Sequence, residues 1–294
     1  MRYIEVLICS LLHILIICSC ERLEYESYSS LIENESYKSR NSSTFYEDSL
    51  TVLNWNIGHF SGGLLPESTI KEDSIIFYLD EYYKLLNSFA PDVIAINEYS
   101  SIFGEVGGEE LKTRDVLFDN YNYAYVGLQN MYSCNAVFSN IYMYNVKYNT
   151  FLCNDDINIL QPSIIESDDY YYISSLFQWK GKTINFVVTH LAYDATNNKV
   201  VRNQIKELIR RFSSDECVIM CGDWNASIEE YELFEKKGYE LVNCGEHGQF
   251  ITHELSSKYL DNIVIKGCSI ADITVVETDL SDHFPILCTV YFNE

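Results

Sequence analysis

Two polar residues stand at the end of an apolar run in the second half of the chain. Residues 217–221 are apolar, Gly222 follows, and Asp223 and Asn225 stand two positions apart. An apolar run of this length bounded by glycine is typical of a buried strand, in which residues i and i+2 point to the same side. A buried carboxylate is costly unless it is paired, hydrogen-bonded or bound to a metal. We therefore expect Asp223 to meet a basic group or a metal ion held by another part of the chain.

Three other predicted strands also end in polar side chains. Asn56 lies in the strand-like segment 50–57, Glu98 follows the strand 92–96, and the strand 184–189 runs directly into His190. Carboxylate, amide and imidazole side chains therefore follow the buried strands in order along the chain.

The C-terminal part of the chain supplies a carboxylate and an imidazole in the same way. Asp261 lies in the strand-like segment 259–265, and Asp282 and His283 precede the last predicted strand, 286–292. A carboxylate beside an imidazole fixes its tautomer and raises its proton affinity, which suits acid–base chemistry. A single Asp or His at a strand end is more often a cap or a satisfied hydrogen-bonding group. Only the recurrence of such residues after successive strands indicates a shared functional site.

The elements that must position these residues alternate between strands and helices. Apolar residues recur at helical spacing over 75–89, 200–212 and 228–237. Residues 170–179 and 182–189 are predicted to form a hairpin that turns at Lys180-Gly181. Residues 121–139 and 141–152 are rich in strand-forming residues, and a further short strand is predicted at 250–253.

Composition indicates a globular and strongly acidic chain. The 294 residues are 47% hydrophobic, which is sufficient for a large core, and 43 acidic residues against 20 basic ones give a net charge of −23. Such a charge argues against a general affinity for nucleic-acid phosphates or anionic membranes. It does not exclude a local positive site built around a metal ion.

The N-terminus is predicted to direct export. Residues 1–20 combine Arg2 with an apolar run of signal-peptide length, and the sequence Ile-Cys-Ser-Cys that ends at Cys20 is similar to a bacterial lipobox. Export as a membrane-anchored lipoprotein, with Cys20 as the anchor, and plain secretion after cleavage are both open. Residues 21–49 are polar, lack an apolar period and are predicted to be a flexible linker.

From residue 50 to residue 294 the ordered motifs resemble those of the endonuclease/exonuclease/phosphatase superfamily, the deoxyribonuclease-like metallohydrolases. The matching segments begin at Leu53 (LNWNIG), Pro91 (PDVIAINE), Asn135 (NAVFS), Val188 (VTHL), Gly222 (GDWN), Leu260 (LDNI) and Ser281 (SDHFP). The resemblance implies an α/β (α+β) fold, a four-layer sandwich of two mixed β-sheets flanked by helices. It also implies that residues 50–294 are a catalytic domain.

The resemblance implies a metal-dependent phosphoric ester hydrolase and assigns its ligands. Asn56, Glu98 and Asp282 would hold Mg²⁺, with Mn²⁺ as a possible substitute, and Asn135 would contact the substrate. The substrate would be a phosphoester in a nucleic acid, a phospholipid or an inositol phosphate. We expect the protein to be a monomer that meets the membrane through the lipid anchor if Cys20 is lipidated.

The catalytic roles implied by the resemblance follow the motifs residue by residue. His283 would be kept basic by Asp261, and Asp223 would orient the attacking water. Asn225 and His190 would donate hydrogen bonds to the phosphoryl oxygens as negative charge builds on them.

Some features separate this chain from the usual pattern of the family. Asn97 stands where Gln is usual, Trp224 replaces a commoner Phe, and no Arg lies near residues 170–174, where secreted deoxyribonucleases have one. His190 is typical of the deoxyribonuclease, sphingomyelinase, inositol-phosphatase and tyrosyl-phosphodiesterase types. A nuclease-like phosphodiesterase is the first hypothesis, and a phospholipid or inositol-phosphate hydrolase is the alternative.

The second functional hypothesis is that the protein is not an enzyme but a binding module with the same fold. A degenerate copy is expected to lose some of the motif residues, and this chain keeps them all.

A basic stripe and three further histidines stand outside the motifs. Lys199, Arg202, Lys206 and Arg210 share one face of the predicted helix 200–212, either as a solvated face or as a phosphate-binding surface. The 24 tyrosines are interpreted first as a bias of composition, and residues 170–172, three tyrosines near the predicted mouth of the site, are the alternative as a substrate contact. His59, His247 and His253 are expected to make only local hydrogen bonds.

Overall fold

The computed structural model describes residues 29–31, 35–36, 49–60, 72–127, 134–154, 170–193 and 198–292. The predicted signal peptide, Cys20 and most of the predicted linker lie outside these residues. Among the helices of the described ranges, none is long and apolar enough to cross a membrane.

Sixteen strands lie within the described ranges. In chain order they are β1 Ser29–Leu31, β2 Glu35–Ser36, β3 Ser49–Asn56, β4 Val93–Asn97, β5 Ile102–Val106, β6 Glu109–Lys112, β7 Tyr123–Val126, β8 Ala136–Ser139, β9 Tyr144–Thr150, β10 Tyr171–Trp179, β11 Lys182–His190, β12 Cys217–Asp223, β13 Glu240–Leu241, β14 Asp261–Lys266, β15 Ser269–Val275 and β16 Ile286–Tyr291.

The strands form two mixed seven-stranded sheets and one separate hairpin. Sheet one has the order β1-β9-β10-β11-β12-β14-β13, and sheet two has the order β15-β16-β3-β4-β8-β7-β2. The β5–β6 pair is the hairpin. At the centre of each sheet is one parallel pair, β11 with β12 and β3 with β4.

Helices cover the outer face of each sheet. They are α1 Glu72–Phe89, α2 Thr113–Leu117, α3 Lys199–Arg211 and α4 Ile228–Glu235, with short 3₁₀ turns at Gly58–Phe60 and Leu152–Asn154. Tyr82 and Leu86 of α1 pack in one cluster with Trp55 of β3, while Val201 and Leu208 of α3 pack with the outer side chains of β12. The arrangement confirms the four-layer sandwich of two mixed sheets flanked by helices.

Strict alternation along the central strands creates the core between the sheets. On β12, the odd-numbered residues up to Cys221 lie in the cluster between the sheets, and the even-numbered Val218 and Met220 face the helices. On β3, the alternation places Leu50 and Val52 inside and Leu53 and Trp55 outside. Side chains that continue these inner rows at the strand ends must therefore emerge between the two sheets.

Most strands and all three predicted helices are where the sequence pattern placed them, with boundary differences of a few residues. The predicted strand 250–253 is wrong, because only His253 makes single bridge pairs, with Lys258 and with His283. The β5–β6 hairpin and β15 were missed because their side chains are largely exposed and lack a strong apolar alternation. Strands β1 and β2 lie inside the predicted linker and extend the sheets at their edges by pairing with β9 and β7.

Candidate active site

Five polar side chains continue the inner rows of the central strands at one end of the sandwich. Each of them is separated by an even number of positions from the inward-facing core residues of its strand, so its side chain lies between the sheets. Four of them follow the core residues of β3, β4, β11 and β12, and the fifth is the first residue of β14, which runs antiparallel to β12. The residues are Asn56, Asn97, His190, Asp223 and Asp261. Backbone pairing sets three of their spacings directly. Asp223 lies opposite His190 on one side and opposite Asp261 on the other, and Asn56 lies opposite Asn97.

Asp223 is the centre of this group. Its Oδ2 accepts a hydrogen bond of 3.0 Å from the Nδ2 of Asn56. The same oxygen lies 3.5 Å from Nε2 of His190 and 3.7 Å from Nε2 of His283. Its Oδ1 accepts a bond of 3.0 Å from the backbone N–H of Asn225. The buried Asp223 thus has the partners that its position required, and they come from both sheets and from the loop before β16.

Asp261 and His283 form a buried carboxylate–imidazole pair. Nδ1 of His283 lies 2.7 Å from Oδ2 of Asp261, which leaves Nε2 directed toward Asp223. Burial by itself lowers the pKa of His283, but the charges of Asp261 and Asp223 outweigh burial and raise this pKa to about 10. The structure therefore places the predicted acid–base pair within reach of Asp223.

Glu98 and Asn56 form the more open side of the site. The Nδ2 of Asn56 donates to Oε1 of Glu98 at 3.0 Å as well as to Asp223, so two carboxylates share one amide nitrogen. Glu98 adopts a left-handed φ of 54°, which turns its side chain away from the line of β4. The other carboxylate oxygen, Oε2, lies 3.7 Å from Nε2 of His59, so this histidine belongs to the site rim.

The donor set at this side fits a divalent cation. Glu98, His190 and Asp223 each offer one ligand atom, and these atoms lie within 4.8 Å of one another. Two carboxylates that converge on one amide repel each other, and a cation between them removes that repulsion. Oxygen-rich coordination is the kind that Mg²⁺ accepts.

Asp282 lies in the loop between β15 and β16 of sheet two, and among the described residues it does not share a ligand cluster with Glu98. The Ser281 hydroxyl donates 2.8 Å to the backbone carbonyl of Asn56, which ties the loop to β3. Oδ2 of Asp282 lies 3.6 Å from Nε2 of His253, and its clustered neighbours are His253 and His283. The contact with His253 holds the pKa of Asp282 below its usual range.

The two predicted phosphoryl donors, Asn225 and His190, each keep a polar group that is not fully used. The Nδ2 of Asn225 donates 2.9 Å to the backbone carbonyl of Leu191, which uses one of its two N–H bonds. The Nδ1 of His190 is buried and has no hydrogen-bond partner among the described residues. One N–H of Asn225 and the Nδ1 atom of His190 therefore have no hydrogen-bond partner among the described protein atoms.

Asn135 does not reach the site surface. It is fully buried, its Oδ1 accepts from the Nδ2 of Asn97 at 2.7 Å, and its Nδ2 donates to the carbonyl of Tyr171 at 3.2 Å. The predicted contact of Asn135 with substrate is therefore not supported by its position. Its amide holds Asn97 in place, and that residue is in turn bonded to the backbone of Asp223.

The tyrosines and the Trp singled out from the sequence are core residues. Residues 170–172 are all buried, so they do not form a contact surface at the mouth of the site. Tyr170 stands edge-on to His190, with ring centroids 6.5 Å apart. Trp224 is fully buried and its Nε1 donates 3.0 Å to the carbonyl of Asn262, which explains why a large ring is accommodated there.

The basic stripe lies on the outer helical layer. Arg202 is paired with Glu230 of α4 at 2.9 Å, and Lys206 and Arg210 are exposed on the face of α3 that turns away from sheet one. The stripe is therefore displaced from the inner face that carries the site, which favours the solvated-face interpretation.

Sequence reasoning missed three contributors to the site. His59 and His253 were given only local roles, although both approach candidate ligand carboxylates. Asn97 was noted only as a departure from the family pattern. No signal in the one-dimensional pattern identified the histidines, because each enters the site from a loop whose pairing partner is distant in sequence.

No protein-family model and no curated protein sequence matches the chain. Solved structures do match. The catalytic domain of human Nocturnin with a bound sulfate anion has a TM-score of 0.62 and 15% identity, covering 89% of this chain and 98% of that chain. A humanized TDP2 of D. rerio has a TM-score of 0.60 and 14% identity, covering 82% and 98%.

A third similar structure carries the family name in its description. It is the endonuclease/exonuclease/phosphatase from Beutenbergia cavernae DSM 12333, with a TM-score of 0.59 and 14% identity, covering 84% of this chain and 72% of that chain. Similarity at this level of identity concerns the fold. The chain has the endonuclease/exonuclease/phosphatase fold that its ordered strand-end motifs predicted.

Proposed function

We propose that the protein is a metal-dependent hydrolase of phosphoric esters. The observation that carries the proposal is the convergence on Oδ2 of Asp223, where an amide and two imidazoles meet beside the buried Asp261–His283 pair. A carboxylate and an imidazole with its own carboxylate can move the protons of an attacking water, and a second carboxylate that opens to solvent can hold a metal ion at the phosphoester.

Asn56, Glu98 and Asp282 are proposed to hold the cation, with Mg²⁺ as the ion that suits these oxygen ligands and Mn²⁺ as a substitute. When bound, the ion supplies positive charge to the phosphoryl and leaving oxygens. The position of Glu98 beside Asn56 supports this assignment. Asp282 is brought to the same end of the sandwich by the bond of the neighbouring Ser281 to the backbone carbonyl of Asn56.

The remaining residues are proposed to handle the proton and the developing charge. Asp223 orients the attacking water, and His283 exchanges a proton through Nε2 while Asp261 holds its Nδ1. The free N–H of Asn225 and the ring of His190 donate to the phosphoryl oxygens, where their effect grows as charge develops. No covalent intermediate with the protein is needed.

A phosphodiester in a nucleic acid is the first substrate proposal. A structure of D. rerio TDP2, described as complexed with a single-strand DNA product, covers 82% of this chain with a TM-score of 0.58. The alternative is a phospholipid or an inositol phosphate, and the net charge of −23 counts against a long polyanion such as a nucleic acid. Both substrate classes present the same phosphoryl group to the site.

The proposal is tested by hydrolysis of an artificial bis-aryl phosphodiester with and without Mg²⁺. We expect activity that chelation abolishes and that Mg²⁺ restores. Activity that persists after chelation, or that persists in both Glu98→Ala and His283→Ala, contradicts the mechanism. Absence of activity on this compound and on a panel of plasmid DNA, RNA, sphingomyelin and inositol phosphates supports the binding-module hypothesis instead.

We also propose that the protein is exported, either anchored through a lipid on Cys20 or secreted after cleavage. The sequence of residues 1–20 is the support for this proposal. Cys20→Ser is expected to release the protein from membranes. Unchanged membrane retention of this variant contradicts the anchor, and retention in the cell interior contradicts export.

A further inference from the structure

His253 enters the site because the backbone around it pairs with the loop that carries Asp282. The N–H of Phe284 donates 2.7 Å to the carbonyl of Thr252, and the N–H of Glu254 donates 2.9 Å to the carbonyl of Asp282. These two bonds place His253 directly opposite His283 in a single antiparallel bridge. Directly opposed residues of an antiparallel pair project their side chains to the same face. The His253 side chain must therefore lie beside His283.

The ring positions agree with this backbone pairing. The centroids of the two imidazoles are 4.6 Å apart and their planes meet at 86°. The Nε2 of His253 lies 3.6 Å from Oδ2 of Asp282. His253 is thus the nearest described basic group to a carboxylate that is a candidate cation ligand.

A neighbouring backbone amide fixes which ring nitrogen of His253 carries hydrogen. The N–H of Ser256 donates 3.1 Å to Nδ1 of His253, and the Ser256 hydroxyl lies 2.8 Å from the same atom. A backbone N–H can only donate, so Nδ1 must accept and the hydrogen of the neutral ring is on Nε2. That hydrogen faces Asp282.

This tautomer separates two possible roles for His253. A neutral imidazole binds a metal through a nitrogen that has no hydrogen, whereas Nε2 of His253 carries one. The Nε2 atom can therefore donate a hydrogen bond to a carboxylate, but it cannot bind a metal ion in this tautomer. The spacing of His253, Asp282 and His283 alone would also allow direct metal binding, since the three form a cluster of ligand atoms. At 3.6 Å the side chains of His253 and Asp282 are just beyond hydrogen-bond distance, and a small approach would form the outer hydrogen bond by which carboxylates that bind metals are commonly held.

We propose that His253 is a positioning residue that orients the carboxylate of Asp282 through Nε2–H, with its tautomer set by Ser256. The inference rests on the proposed function, because it assigns Asp282 to the cation. The Ser281 hydroxyl gives its one hydrogen to the carbonyl of Asn56, so His253 is the described side chain that faces this carboxylate with a hydrogen, and Oδ1 of Asp282 retains its lone pairs for an ion. His253 does not contact the reacting phosphoryl group in this proposal.

The test measures Mn²⁺ affinity by calorimetry in the purified protein, without substrate. Loss of an outer hydrogen bond to a metal ligand typically weakens binding by ~10–100-fold, so His253→Ala is expected to lose affinity in that range. His253→Gln retains an N–H donor of similar reach and is expected to recover most of the affinity. His247→Ala is the matched control, because His247 pairs with Glu240 outside the site and its loss is expected to leave Mn²⁺ affinity unchanged.

A spectroscopic measurement tests the tautomer independently of folding effects in the variants. Long-range ¹H–¹⁵N NMR of the unsubstituted protein is expected to show neutral His253 with hydrogen on Nε2. Hydrogen on Nδ1 overturns the proposal and supports direct ligation. Equal loss of affinity in His253→Ala and His253→Gln, or wild-type affinity in His253→Ala, also overturns it.

Glu98→Ala distinguishes failure of the inference from failure of the proposed function. If Glu98→Ala loses Mn²⁺ binding while His253→Ala retains it, the cation site stands and the role of His253 is wrong. If the unsubstituted protein binds no Mn²⁺, or Glu98→Ala binds it normally, the proposed cation site itself is wrong, and the assignment of His253 is overturned with it.

Discussion

The backbone N–H of Asp223 donates a 2.8 Å hydrogen bond to the side-chain oxygen of Asn97, which lies on the opposite sheet. The side-chain nitrogen of Asn97 donates to the carbonyl of Thr189 at 2.8 Å and to Asn135 at 2.7 Å. One buried amide therefore joins β4 to both β11 and β12 immediately below the site. The distance between Glu98, the next residue after Asn97, and Asp223 depends on this connection.

Asn97→Ala is expected to destabilise the protein and to loosen the site at the same time. The substitution removes the side-chain oxygen that accepts the buried N–H of Asp223. An unsatisfied buried polar group costs about 1–3 kcal/mol. We expect the free energy of unfolding, measured by urea denaturation, to fall by at least that amount, and phosphodiesterase activity to fall under conditions where the variant is still folded.

Asn87→Ala is the matched control for this substitution. Asn87 is exposed on α1 and accepts a 3.2 Å hydrogen bond from Asn120, which is also at the surface. Its loss is expected to change the free energy of unfolding by less than about 0.5 kcal/mol. Equal effects of the two substitutions would show that the amide of Asn97 does not join the sheets in the way that the contacts indicate.

Asp261→Asn is expected to lower the pKa of His283 and to slow catalysis. The carboxylate of Asp261 is one of the charges that raise this pKa to about 10, so the imidazole of the metal-free protein stays protonated up to that pH. With the neutral amide, the imidazole loses its proton at lower pH, a change that NMR titration of the His283 ring measures. Because proton transfer by a positioned side chain typically contributes about 10²–10⁴-fold, we expect kcat to fall within that range.

Asp272→Asn provides the control for a general effect of charge. Asp272 is exposed on β15, so its removal is expected to leave both the His283 titration and kcat unchanged. An unaltered His283 pKa in Asp261→Asn would contradict the pairing of these residues in solution.

Glu98→Gln is expected to remove the stabilisation that a divalent cation gives. A ligand that binds only the folded state stabilises it by about 2.7 kcal/mol at one hundred times its Kd. Addition of Mg²⁺ at that ratio is expected to raise the unfolding free energy of the unsubstituted protein by this amount and to leave that of the variant nearly unchanged. Without the ion, the variant is expected to be at least as stable as the unsubstituted protein, because one of the two carboxylates at Asn56 has lost its charge.

Glu109→Gln controls for the loss of one acidic group, since Glu109 is exposed on the β5–β6 hairpin. It should respond to Mg²⁺ as the unsubstituted protein does. A full response in Glu98→Gln would place the cation elsewhere.

The sequence predicted the parts of the site that follow from strand periodicity. A side chain two residues beyond an inward-facing core residue has to emerge between the sheets, which accounts for Asn56, His190 and Asp223. His283 lies in the loop before β16, and only the family motif pointed to it. Contacts between loops were beyond such reasoning. His253 approaches Asp282 only because two loops pair in three dimensions, and Asn135 is buried only because Asn97 and Tyr171 occupy its hydrogen-bonding groups.

Gly222→Ala is expected to be strongly destabilising because β11 and β12 approach each other closely at this residue. A Cβ atom on Gly222 would lie 2.1 Å from the backbone carbonyl oxygen of Thr189, and a backbone atom cannot turn away as a flexible side chain does. Overpacking of a rigid interior typically costs about 1–3 kcal/mol, and the neighbouring Asp223 would be displaced with the strand. Chemical denaturation is expected to show this loss, with a fall in activity that exceeds the fall in folded fraction.

Gly181→Ala separates the effect of crowding from that of losing a glycine. Gly181 lies in the β10–β11 turn with a φ of +79°, and a Cβ atom there would meet nothing within 4 Å. Its substitution therefore costs only the strain of a left-handed backbone, about 1 kcal/mol, and is expected to leave kcat unchanged because the turn is at the end of the hairpin remote from His190. Equal losses of stability and activity in Gly222→Ala and Gly181→Ala would contradict the prediction. They would show that the close approach of β11 to β12 does not fix the position of Asp223 beside His190.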